Sequence, residues 1–76
     1  MDQARRVAVV GLRELRAQQV LSQQDLATRA GVSKTTVVQI EAGRIRPHPS
    51  TVRKLAAALG LPARELRDQL RQEAIT

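Results

Sequence analysis

The 76-residue chain has no cysteine, no phenylalanine, tyrosine or tryptophan, and a single histidine, His48. Without cysteine there is no disulfide framework, and one histidine cannot assemble a zinc site of His and Cys ligands, so packing alone must hold the fold. The missing aromatic rings remove the platforms on which single-stranded DNA and RNA binders stack successive bases. Double-stranded DNA survives that filter. Long apolar runs are also lacking. The stretch from Val7 to Leu12 is cut by Arg13 and Glu14, well short of a secretory leader or a membrane span, which leads us to expect a cytoplasmic chain with no membrane partner. The carboxylates are scattered among arginines, no serine, histidine and acid fall into a catalytic set, and no glycine-rich loop could cradle a phosphate. We therefore expect neither an enzyme nor a bound cofactor or metal.

What the chain has is positive charge: thirteen Lys and Arg against seven Asp and Glu, a formal net charge of +6. Such an excess favours a polyanionic partner. Position sharpens this, because Lys34, Arg44, Arg46, Arg53 and Lys54 share the stretch 34–54 with one acid, Glu41.

The length suits one domain, residues 1–76, with a small core; at this size only roughly 60–65% of the unfolded chain's surface is buried, so either a marginally stable monomer or dimerisation is expected. Leu12, Leu15, Val20 and Leu21 recur at helical spacing and predict a first helix over about 5–19. Ser22-Gln23-Gln24-Asp25 reads as a capping box that opens a second helix, which Gly31 ends. Ser33 caps a third helix with Val37 and Ile40 inward, closed at Gly43. Arg44-Ile45-Arg46-Pro47-His48-Pro49 reads as a stiff basic loop, because prolines remove donors and push their neighbours toward extended geometry. Ser50 is then the expected cap of a fourth helix, and Pro62 a first-turn residue of a fifth with Leu66 and Leu70 inward. The expected architecture is all-α, a compact five-helix domain with a central helix-turn-helix at residues 22–43.

The joint between the second and third helices carries the most information. Ala27 is small enough for two helices to cross closely, and Gly31 lets the chain reverse within a few residues. Leu21-Ser22-Gln23-Gln24-Asp25-Leu26-Ala27, Ala30-Gly31-Val32-Ser33, Ile40-Glu41-Ala42-Gly43-Arg44 and Leu55-Ala56-Ala57-Ala58-Leu59-Gly60-Leu61 together resemble the Cro/C1-type (XRE-like) helix-turn-helix family of phage repressors and bacterial transcriptional regulators. The resemblance extends from Leu12 to about Leu66 and implies a lambda-repressor-like fold that reads operator DNA in the major groove. By position, Gln23 matches the family glutamine that holds a phosphate and braces the recognition helix. Lys34, Thr35, Val38 and Gln39 match the positions that meet base edges, with residues 34–41 as the reading helix. Their chemistry suits that role: Gln39 can pair with adenine, Lys34 can donate to guanine, and Thr35 and Val38 can meet a thymine methyl. Arg44 and Arg46 match the phosphate-contacting loop. The family also implies an ion pair between Arg16 and Glu41, which takes Glu41 off the list of DNA contacts. The chain departs from the family pattern at Ala42, where many relatives carry Asn, and at Pro62, where Ser or Asp commonly caps.

Several residues admit two readings. Arg53 and Lys54, placed in the first turn of a helix capped by Ser50, would oppose the helix dipole, a local conflict that marks them as candidate phosphate contacts. Arg5 and Arg6 read either as a solvated helix start or as a DNA-contacting arm. His48, alone between prolines, receives no role. Leu66, Leu70 and Ala74 recur every four residues with Ile75 beside them, so segment 62–76 reads either as a homodimer interface or as the completion of the monomer core. The main expectation is a repressor on an operator, as a homodimer. The alternatives are an antitoxin whose domain also binds a cognate toxin, and a protein-interaction module that keeps the fold without reading DNA.

Overall fold

The computed structural model describes residues 11–75, with side chains through Leu70. Among these residues there are five helices and no strand: α1 (Leu12–Gln18), α2 (Gln23–Ala30), α3 (Lys34–Glu41), α4 (Pro49–Leu59) and α5 (Ala63–Ile75). None is long and apolar enough to cross a membrane. Helix α2 packs on α3 and α4, α4 on α5, and α1 on α3 and α5. One apolar cluster results. Leu12, Leu26, Val37, Leu55 and Leu66 are fully buried at its centre. Ala27 and Ala56 are as deeply buried, and their single methyls let the helices approach closely enough to exclude water from the larger side chains.

Helix starts depend on capping groups. Asp25 N donates to Ser22 Oγ at 2.9 Å while Ser22 N donates to Asp25 Oδ2 at 3.0 Å, a complete capping box with Asp in the place usually held by Glu or Gln. The backbone hydrogen bond from Ser22, reinforced by its side chain, holds the Asp25 carboxyl below its ordinary pKa. At α4 the expected cap is wrong. His48, not Ser50, occupies the N-cap and its Nδ1 accepts from Ser50 N at 3.3 Å, with Pro49 as the first helical residue. Proline is suited to that position because its missing N–H would have had no helical partner, and its fixed φ is already helical. Pro62 also shifts by one: its carbonyl accepts from Leu66 N at 3.2 Å, so it precedes the first turn of α5. Leu66 is fully buried and Leu70 packs partly against the core, so these leucines complete the monomer. Leu66 is therefore not a dimer contact. The Ala74 and Ile75 side chains lie outside the described set.

The first helix is shorter than its apolar pattern suggests. Gly11 is extended (φ −73°, ψ 172°), so α1 begins at Leu12 instead of running through from Arg5; Arg5 and Arg6 lie outside the described residues. It ends in a tight reversal in which Val20 N donates to Ala17 O at 3.0 Å and Leu21 N to Arg16 O at 3.1 Å. The same two-bond closure ends α2 at Gly31 (φ 73°), where absence of a Cβ makes the left-handed conformation unstrained. In α1 the equivalent residue is Val20, at φ 56° and 88% exposed. Its expected place in the core stripe is not realised. A β-branched residue in this region is strained, and here it buries nothing that would offset the strain.

The helices are tied together by a polar cluster on Glu41, the last residue of α3. Arg16 of α1 donates through Nε to Glu41 Oε2 at 2.7 Å and through a terminal nitrogen to Oε1 at 3.1 Å, a two-pronged pair whose side chains are only 15% and 6% exposed. The remaining guanidinium nitrogen donates to Leu21 O at 2.8 Å. Gln23 of α2 adds a third bond to the carboxylate, Nε2 to Oε1 at 3.0 Å. The hydrogen bonds to Glu41, helped by its negative charge, raise the Arg16 pKa above its already high ordinary value.

Three stability outcomes follow from these contacts. Val20→Gly should relieve strain of about 1 kcal/mol, raising the Tm by roughly 4–8 °C in thermal melts followed by circular dichroism; no change or a fall would mean that Val20 is not strained. Glu41→Ala leaves a guanidinium and an amide without their acceptor in a half-dry site and should cost about 2–3 kcal/mol. Asp25→Asn should lower the Tm at neutral pH. Because the folded-state pKa of Asp25 is depressed, its contribution is present above the ordinary carboxylate pKa and disappears as pH falls through the lowered value, so mutant and parent melts should converge in acid.

Candidate nucleic-acid interface

Helix α3 is presented by the joint that precedes it. Gly31 reverses the chain, Val32 N donates back to Ala27 O at 3.0 Å, and Ser33 caps α3 by accepting from Thr36 N at 3.1 Å. The Ser33 and Thr36 hydroxyls are also hydrogen-bonded to each other at 2.9 Å, so the side chains reinforce the first turn of α3. Val37 and Ile40 point into the core. At 100° per residue, Lys34, Thr35, Val38 and Gln39 lie within an arc of about 140° on the other side. Lys34, Thr35 and Val38 are exposed and Gln39 is half-buried. The arc offers an ammonium, a hydroxyl, branched methyls and a carboxamide, a set able to meet both the polar edges of base pairs and a thymine methyl.

Around this helix the expected phosphate ligands divide. Gln23 is half-buried at the first position of α2 and uses one amide N–H on Glu41, which leaves its second N–H and its carbonyl available. The bond fixes which way the amide faces, so the free donor is directed by the same carboxylate that holds Arg16. Arg44, Arg46 and Arg53 are exposed and line one open groove beyond the C-terminal end of α3, and none forms an ion pair with a described residue. Lys54 is exposed next to Arg53 but does not line that groove.

With α4 beginning at Pro49, Arg53 and Lys54 fall in its second turn, not its first. The dipole conflict expected from a Ser50 cap is correspondingly weaker, because the helix-end field fades within one turn. Their candidacy rests instead on exposed charge.

Three contributions were not foreseen from sequence. His48 caps α4 and so sets the exit of the basic loop. Gln19 Nε2 donates to Leu59 O at 2.7 Å and ties the end of α1 to the end of α4. Arg64 and Arg67 of α5 share the groove of Arg44 and Arg46. Pro49 directly after His48 was a usable signal for the first, since proline favours the first helical position. The others depend on long-range packing that no local pattern records.

Comparison with known proteins agrees with this geometry. A family model described as a helix-turn-helix domain matches residues 10–70. The chain is 45% identical over 56 residues to the uncharacterised HTH-type transcriptional regulator RghRB of Bacillus subtilis, covering 72% of this chain and 40% of that one. It is 40% identical over 55 residues to the cryptic phage CTXphi transcriptional repressor RstR of Vibrio cholerae, covering 72% of this chain and 50% of the repressor. An uncharacterised HTH-type regulator of Methanothermobacter thermautotrophicus is 39% identical over 49 residues, covering 64% of this chain and 71% of its own length. The chain thus spans half or less of the first two relatives. No solved structure matches it. With four motifs in order and a family model over residues 10–70, the chain belongs to the helix-turn-helix domain family, in its Cro/C1-type (XRE-like) form.

Proposed function

We propose that this domain binds operator DNA by laying α3 in the major groove, and that it acts as a transcriptional repressor. The observation that carries the reading is the outward arc of Lys34, Thr35, Val38 and half-buried Gln39 on a helix whose last residue is held by the two-pronged pair with Arg16. A reading helix has to be rigid, because a base contact is specific only when the side chain arrives at a fixed register. Gln23, Arg44, Arg46, Arg53 and Lys54 would then hold phosphates and set that register, while the α3 side chains set sequence. The transcriptional roles that the relatives' names carry support the same assignment.

The domain would act as a homodimer on a near-palindromic site, its two α3 helices about 34 Å apart, one turn of DNA. With Leu66 fully buried in the monomer, that contact would draw on the more exposed side of α5 and the residues after Leu70.

Two measurements test the reading. Affinity for duplex DNA should fall steeply and linearly in log–log form as salt rises, and Arg44→Ala should weaken all sequences alike and reduce the slope by about one. Selection of bound sites from random duplexes should return altered motifs for Lys34→Ala and Gln39→Ala, each losing about 1–3 kcal/mol of discrimination at its own base. Identical motifs from the parent and both variants would remove α3 as the reading helix.

A further inference from the structure

The groove beside the C-terminal end of α3 has features that phosphate binding does not require. It is open, about 1010 Å³ in volume, and runs between the 43–47 loop, α4 and α5. Its floor is apolar, with Ile45, Pro47, Val52 and Leu70 among its lining residues, and Ile45 is 40% exposed. Among the described residues, its charged lining consists of Arg44, Arg46, Arg53, Arg64 and Arg67, without a carboxylate. Only Arg67 has an ion-pair partner among the described residues, the neighbouring Asp68 at 3.2 Å, and that pair is more than half exposed and weakly held.

We propose that this groove docks an acidic amphipathic segment of a protein partner, with its apolar side chains on the Ile45–Leu70 floor and its carboxylates on the arginine rim. Charge complementarity selects this occupant. A phosphate backbone would satisfy the rim but leave the floor wet, because it has no apolar side chains to place there. A second copy related by a two-fold axis would bring one all-basic lining against another, and like charges at close range oppose docking. An acidic segment with leucine-like residues at helical spacing satisfies both surfaces, in the manner of a helix laid in a groove. Arginine is suited to this rim because its planar fork takes a carboxylate two-pronged and sheds water at lower cost than an ammonium. Since Arg44, Arg46 and Arg53 are also candidate phosphate ligands, partner and DNA would compete for them, and docking would lower affinity for DNA.

The test uses the full chain and a fluorescein-labelled synthetic peptide of about 14 residues, with leucines at helical spacing and glutamates elsewhere. A second peptide carries serine in place of each leucine and keeps the charge. At about 0.15 M salt, where distant charges are screened, the leucine peptide should bind at least about tenfold more tightly than the serine peptide. Arg64→Gln with Arg67→Gln should weaken it by about tenfold, while duplex DNA affinity changes by less than about threefold. On the unaltered chain, the methyl resonances of Ile45 and Leu70 should shift as peptide is added, a readout independent of how the variant folds. Equal binding of the two peptides, unmoved methyl resonances, or parallel loss of peptide and duplex affinity in the double variant would each overturn the proposal. The last result would return the groove to the DNA face.

Discussion

Glu41 holds α3 in place through one carboxylate. Two of its partners come from other helices, Arg16 from α1 and Gln23 from α2, and the same guanidinium also reaches the carbonyl of Leu21 between them. Removing any one of these groups leaves the others short of a partner in a place where water enters poorly. The cluster therefore acts as a unit. It links the interior to the outward arc of Lys34, Thr35, Val38 and Gln39, because a helix pinned at its last residue and capped at Ser33 has little freedom to roll. The one acid in a basic stretch is accordingly a structural element, and no repulsion of an anionic partner needs to be invoked.

Packing does the remaining work with few resources. With no cysteine and no aromatic ring, stability depends on a dozen buried aliphatic and alanine side chains among the described residues and on closing the helix ends. The ends are handled economically: two serines and a histidine serve as side-chain caps, and the reversals satisfy terminal carbonyls with paired backbone bonds. Among the described residues, Val20 is the one place where this economy fails, a β-branched residue doing what Gly31 does without strain.

Most of the positive charge is kept out of internal pairing. Arg44, Arg46 and Arg53 present a continuous basic lining beyond α3, and α5 extends it with Arg64 and Arg67 over an apolar floor. Two surfaces with different chemistry thus meet at the end of α3: a polar and methyl-bearing helix face, and a basic groove with a greasy base. The first suits base pairs. The second is wider than phosphate binding alone would need.

Much of this was legible locally. The capping box at Ser22 and Asp25, the Ser33 cap, the reversal at Gly31 and the inward pair Val37 and Ile40 are all short-range features, governed by residues within a turn of one another, and the sequence by itself determined them. It also determined the class of fold, because helical spacing with no alternation leaves no room for a sheet, and the identity of the helix-turn-helix through four motifs in order. The tertiary structure decided what depends on distance. Val20 fell out of the core because α1 ends at Gln18, before the apolar stripe does. His48 took the cap because Pro49, lacking an N–H, is the better first residue of α4. Leu66 went to the monomer core, and Arg64 and Arg67 joined the groove, because α5 folds back on α4. Spacing along a chain records which face a residue occupies on its own helix; what lies opposite that face is set by how the helices pack.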